Sequence, residues 1–176
     1  MPRITDDAGV SVPRSLTTPT APTDHVADAP PLPSVSFVVI GKNEEDSLPT
    51  CLESIVGQDY AGTMDVHYVD SRSTDRSVEL AAAIDGVQVH VLDDPRPNAA
   101  KGRNRGWQEA HGDLIQFVDG DAILTPEWTT KAVRAFADDK VAAVYGWYRE
   151  LHPEDSVYNL FADLDWPRND GEVTTI

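Results

Sequence analysis

LIQFVDGDAIL, Leu114 to Leu124, is the stretch on which the fold is decided. Its first half is an apolar run of strand length, and it ends on two aspartates, Asp119 and Asp121, separated by Gly120. Carboxylates one residue apart on a turn can both approach a divalent cation. Hard oxygen donors of this kind suit Mg²⁺ or Mn²⁺, with phosphate oxygens completing the shell. The same letters also make solvated turns, and it is the position after an apolar strand that favours a ligand. Gly120 lets the backbone bend there and come close to what is bound.

Just ahead of that strand, NAAKGRNRG (Asn98 to Gly106) gathers Lys101, Arg103 and Arg105 within five residues. They are a source of positive charge for phosphates, or else a solvated basic loop balancing acidic surroundings. Further out, strand and helix signals alternate from Pro33 onward, the pattern of a mainly parallel sheet with helices on its faces. VSFVVI (Val35 to Ile40) is a fully apolar strand, and Leu48, Cys51, Leu52, Ile55 and Val56 then recur at helical steps. DVHYVD supplies a second strand ending at Asp70, followed by a helix carrying Val78, Ala81, Ala82 and Ile84; VQVHVL supplies a third strand.

Trp107 and Ala110 suggest a short helix, after which LIQFVD reads as a central strand covered on both faces. Thr125 and Pro126 suit the cap and first turn of a helix around Ala132, Val133 and Phe136. VAAVYGWY (Val141 to Tyr148) reads as a fifth strand, and EDSVYNLFADLDW as an amphipathic helix. In open α/β sheets ligands bind beyond the carboxyl ends of the strands, where GKNEE, DSRSTD and DGDA fall. GKNEE lacks the spaced glycine and the Ser or Thr of a Walker loop, and no Gly-x-Gly-x-x-Gly is present.

The 176 residues are enough for one domain. Thirty acidic residues against 14 basic ones give a net charge of −16, which repels nucleic acid and anionic lipid. Such a surface suits a salt-rich cytoplasm, although a GC-rich genome produces the same bias. Residues 1–33 read as a disordered Pro/Thr/Asp-rich tail with no apolar run long enough for a signal peptide or membrane span. The expected location is therefore cytoplasmic, at most peripheral at the inner face of the membrane. Cys51, the single cysteine, reads as a buried thiol on an apolar helix face.

Taken together, VSFVVIGKNEEDSLPTCLESIVGQDY, VHYVDSRSTDRSVELA and NAAKGRNRGWQEAHGDLIQFVDGDAIL resemble, in order and spacing, the family 2 nucleotide-sugar glycosyltransferases, closest to the exopolysaccharide branch. The resemblance covers Val35 to Trp166. It implies a GT-A type three-layer α/β sandwich with a mainly parallel central sheet and a Rossmann-like nucleotide-binding half. Residues 34–152 would form the nucleotide-sugar-binding domain, and 153–176 a helix and the start of an acceptor region.

Carried over by position, Ile40, Gly41, Asn43 and Glu44 would frame the base and ribose of a UDP- or GDP-linked sugar. Asp70 would sit against the base with Ser71 beside it, and Arg103 would reach the pyrophosphate or base. Asp119 and Gly120 would contact the nucleotide, and Asp119 and Asp121 the metal, Mg²⁺ or Mn²⁺. Ser71 and Arg72 depart from the family's usual Asp-Gly at these positions. No general base is apparent, because Asp163, Asp165, Asp170 and Glu172 follow helix or tail patterns.

The resemblance implies a saccharide or lipid-linked acceptor; because the sequence stops short of the family's C-terminal acceptor half, self-association or a separate acceptor-domain partner is expected. Trp147 and Trp166 read first as core packing and second as a sugar platform. Two other readings are a non-catalytic nucleotide-sugar-binding module and a phosphatase of the haloacid dehalogenase type, which also places Asp-x-Asp after an apolar strand.

Overall fold

The computed structural model describes residues 31–165. Its four strands are β1 (Val35–Gly41), β2 (Met64–Asp70), β3 (Val87–Val91) and β4 (Leu114–Asp119). They form one sheet in the order β3-β2-β1-β4, and every pairing is parallel. The register aligns Gly41 with Asp70 and Ile40 with Asp119, so the ends of three strands finish level at one edge.

Alternation along the strands decides what each face covers. Phe37, Val39 and Tyr68 point to one side and pack with Leu48, Cys51, Leu52 and Ile55 of α1 (Leu48–Val56) and Ala81 of α2 (Ser77–Ala82). Val38, Ile40 and Val69 point to the other, where α3 (Ala99–Glu109) crosses. This is the helix, sheet, helix layering expected, and β1 is buried along its whole length.

α3 can lie so close because Gly102 and Gly106, one turn apart, face the sheet. A Cβ at Gly106 would fall 2.2 Å from Val38 Cγ1, and one at Gly102 3.1 Å from Ile40 Cγ2. The short helix expected near Trp107 thus begins eight residues earlier, and the basic stretch is helical rather than loop. Asn98 starts it by accepting from Lys101 N at 2.9 Å.

Four other expectations are corrected. β4 is not a central strand: it borders the sheet, and Phe117 is 40% exposed. Residues 141–148 form no strand, since they contribute no ladder to β4 and an unpaired extended segment has nothing to satisfy its backbone groups. Val56 ends α1 exposed rather than in the apolar stripe. The following helix, α4 (Trp128–Ala135), starts after Glu127, with Thr125 reduced to accepting from Trp128 N.

Between the outer side of β4, α4 and residues 142–148 runs a groove of about 990 Å³. Trp147 lies on its wall, partly exposed and edge-on to Tyr145, so it is not core packing. α5 (Val157–Asp165) is the amphipathic helix expected, and Val157, Leu160, Phe161 and Leu164 at steps of three and four are all exposed. The expectations for residues 1–30, Trp166, Asp170 and Glu172 lie outside the described residues, and no helix among those described is long and apolar enough to cross a membrane.

Candidate functional site

The chain runs β1, β2, β3 outward in one direction and then returns to place β4 on the far side of β1. The crevice at that reversal, beyond the carboxyl ends of β1 and β4, is where open parallel sheets bind ligands. The sequence puts its polar clusters there: the β1–α1 turn, the β2–α2 turn, and Asp119-Gly120-Asp121.

Asp119 and Asp121 are both exposed at the end of β4. Arg103 reaches the first of them from α3, its Nη2 donating to Asp119 Oδ1 at 2.6 Å. Of the three cations grouped in the sequence, Arg103 alone makes this contact. Lys101 Nζ donates to Asp94 Oδ2 at 2.6 Å and to the Arg96 carbonyl at 2.9 Å, and Arg105 pairs with Glu109 along the helix at 2.7 Å. Lys101 therefore fixes the loop after β3, and Arg105 belongs to the outer helix surface.

Beneath the aspartates sits Glu44. Its Oε2 is fully buried with no hydrogen-bond partner. A Cβ on Gly120 would lie 2.1 Å from that oxygen and one on Gly41 2.7 Å, so the carboxylate occupies a slot that exists because both positions are glycine. Burial, then the charges of Asp121, Asp119 and Asp75, push its pKa above the ordinary glutamate value. Cys51 lies below, fully buried, with its thiol pushed up to about 12 by burial and then by the charges of Glu44 and Asp121; it is an inert structural thiol.

The β1–α1 and β2–α2 turns are laced together. Asn43 N donates to Ser73 Oγ, Thr74 N to Asn43 Oδ1, Glu44 N to Ser77 Oγ, and Glu45 N to Asp75 Oδ2. Ser71 N donates to the Gly41 carbonyl. Asp70, 1% exposed, is spent on this scaffold: Tyr68 Oη and Ser73 Oγ donate to Oδ1, and Ser73 N to Oδ2. Ser71 is also buried, while Ile40 lines the α3 side of the crevice floor. Tyr68, Ser73 and Thr74 thus join the site as scaffold, and the Ser/Thr density of SRSTD was the only trace of this in the sequence.

Among the described residues no group of three or more His, Cys, Asp or Glu side chains is arranged to hold a metal. Asp119 and Asp121 offer oxygen donors for part of a shell, beside a third carboxylate whose buried oxygen lacks a partner. That donor set fits a hard divalent ion whose remaining ligands come from phosphate oxygens and water. The groove along β4 is chemically poorer, Asp113 being the one charged residue on its walls among those described.

An open parallel sheet with these clusters at its switch point defines a Rossmann-like α/β protein. Residues 36–171 match the model of Glycosyl transferase family 2, and the chain belongs to that family. It is 36% identical over 146 residues to an N-acetylglucosaminyltransferase of Mesorhizobium japonicum, covering 77% of this chain and 33% of the relative. It is 28% identical over 127 residues to glycosyltransferase AglE of Haloferax volcanii, covering 69% and 41%.

Among solved structures, the mannosyltransferase PcManGT from Pyrobaculum calidifontis, in complex with GDP-Man and Mn²⁺, aligns with a TM-score of 0.60 at 27% identity over 73% of this chain and 38% of that one. S. aureus TarS 1–349 with UDP-GlcNAc aligns at 0.52 and 31% identity, over 60% and 31%. The chain spans about a third of the length of the first curated relative it matches.

Proposed function

We infer that the chain is the donor-binding portion of a glycosyltransferase that takes a UDP- or GDP-linked sugar with a divalent ion and passes the sugar, with inversion, to a saccharide or lipid-linked acceptor. The observation that carries this reading is the Arg103–Asp119 contact of 2.6 Å at the switch point, with Asp121 and the unpartnered Glu44 oxygen alongside. The ligands named for the solved relatives, GDP-Man with Mn²⁺ and UDP-GlcNAc, support it.

In such a transfer an acceptor hydroxyl attacks the anomeric carbon on the face opposite the nucleoside diphosphate, whose bond to that carbon breaks. Asp119 and Asp121 would hold the ion, which when bound supplies Lewis-acid neutralisation of the diphosphate. Arg103 orients the diphosphate and takes up the charge that develops as it leaves, an electrostatic contribution of about 3 kcal/mol for one well-placed donor. Glycines 41 and 120 keep the crevice floor low enough for a backbone-close ligand. The hydroxyl proton needs a carboxylate acceptor. None of the acids at the described crevice is free for that role: Asp119 is paired, Asp121 serves the ion, Asp70 is withdrawn, and Glu44 lies beneath Gly120.

Calorimetry with UDP, GDP and their sugars, in Mn²⁺ and again in EDTA, tests the reading: metal-dependent binding is expected, and a chain that binds no nucleotide in either condition rejects it. The lack of a free proton acceptor among the described crevice acids favours one second reading, a nucleotide-sugar-binding module that performs no transfer by itself. A radiolabelled sugar-transfer assay separates the two. Family membership removes the phosphatase reading.

A further inference from the structure

Among the described residues two non-glycine positions adopt left-handed backbone, Asn43 at φ 55° and Arg72 at φ 63°. Asparagine tolerates that conformation, and here its side chain is used within the turn. Arginine gains nothing locally from it. A residue held in such a conformation persists where the surroundings over-determine it, and the strain tends to mark a ligand-facing position. The surroundings at Arg72 do so: Ser71 N is tied to Gly41, and Ser73 is tied to both Asp70 and Asn43.

The side chain also leaves most of its donors unused. Among the described residues Arg72 meets Asp94 alone, through a long hydrogen bond from Nη1 to its carbonyl at 3.4 Å and through charge on its carboxylate. The Asp94 carboxylate beside it is already taken by Lys101 and by Arg96 N. An exposed guanidinium with most of its five donors open thus stands on the β2–α2 turn, leaning toward the loop after β3. Because Asp70 and Ser71 are buried, Arg72 is the first residue after β2 whose polar group is presented to a ligand.

Distance decides which part of a ligand it meets. From β4, where Asp119 and Asp121 would hold the diphosphate, to β2 is two strand spacings, about 10 Å. That is the order of the span from a nucleotide's diphosphate to the far edge of its base. We propose that Arg72 is a specificity-determining residue that donates to a carbonyl oxygen of the nucleobase, a group present on uracil and guanine and missing from adenine. The proposal rests on the reading of this edge as the donor-nucleotide site.

Arg72→Gly is the informative variant, because glycine adopts the left-handed backbone freely and leaves the turn intact. Isothermal titration with UDP, GDP, ADP and inorganic pyrophosphate, each with Mn²⁺, is run on the full chain and on Arg72→Gly and Arg72→Lys. The wild type is expected to prefer UDP or GDP over ADP. Arg72→Gly should lose tenfold or more for the preferred nucleotide while pyrophosphate binding stays within about twofold. Arg72→Lys, which keeps the charge but not the fork, should recover only part of the loss.

Equal weakening of pyrophosphate and nucleotide would show a general charge effect and overturn the proposal, as would unchanged nucleotide affinity in Arg72→Gly. If the wild type binds neither nucleotide nor pyrophosphate, the donor-site reading itself fails and this proposal goes with it. That outcome is seen without any variant.

Discussion

Replacing Gly106 by alanine puts a methyl group 2.2 Å from Val38 Cγ1 and 3.1 Å from Cγ2, on the most buried strand of the sheet. Carbon atoms rest at about 3.5–4.0 Å, so α3 must retreat from β1 by more than 1 Å or Val38 must leave its rotamer. Overpacking of this kind costs about 1–3 kcal/mol, which for a chain of this size lowers Tm by roughly 3–10 °C. Arg103 rides on the same helix, one turn ahead of Gly106, so the retreat also draws its guanidinium from Asp119. The guanidinium is then also misplaced for the diphosphate it orients, and loss of a hydrogen bond between charged groups there, about 1.5–3 kcal/mol, translates into a tenfold to hundredfold loss of nucleotide affinity. Gly102 is the internal control: its added methyl would meet Ile40 Cγ2 at 3.1 Å, a contact relieved by a few tenths of an ångström. Differential scanning calorimetry and nucleotide titration on both variants check the reasoning. It is refuted if Gly106→Ala melts with the wild type, or if Gly102→Ala is as damaging as Gly106→Ala.

Arg103→Ala should weaken nucleoside-diphosphate binding in Mn²⁺ by about tenfold to hundredfold, as loss of a hydrogen bond between charged groups predicts, with little change in Tm because the pair is partly exposed; titration and thermal melts report both. Glu44 has its folded pKa raised, so its protonated form is the one folding favours, and that contribution is lost as pH rises through the folded pKa. Glu44→Gln should therefore melt higher than the wild type at pH 8, with the gap closing toward pH 4. His90 is shifted the other way, first by burial and also by its neighbours His67 and Arg105, against the opposing pull of Glu109. With its folded pKa below the unfolded 6.5, stability is present above that value and falls as pH drops below it; His90→Gln should flatten the Tm against pH curve on the acid side of pH 6.5.

The buried strands were legible because each is an unbroken apolar run that ends on a polar cluster: VSFVVI at Gly41, DVHYVD at Asp70. The edge that carries the candidate site followed from the same endings. α3 was harder to read, because four charged residues and two glycines within Ala99–Glu109 look like loop until the glycines are seen to face Val38 and Ile40. Residues 141–148 misled for the opposite reason: apolar composition registers burial preference and carries no information on whether a hydrogen-bonding neighbour exists. In the site, the pairing of Arg103 with Asp119 could be anticipated from one strand and one basic stretch. The withdrawal of Asp70 and the tuck of Glu44 under Gly120 could not, since both depend on how two turns far apart in sequence interlock.

β4 offers its outer row of amide and carbonyl groups to whatever meets it, and the wall beside it is greasy. Among the described residues no strand pairs on that side, so the row is an open template for edge-to-edge pairing. The deterrent is the charge of −16, and its reach shrinks from about 10 Å in 0.1 M salt to about 3 Å in 1 M. Colloidal behaviour in solution will accordingly be governed by ionic strength, and by acidification toward the pI near 4.4, more than by the strength of the core.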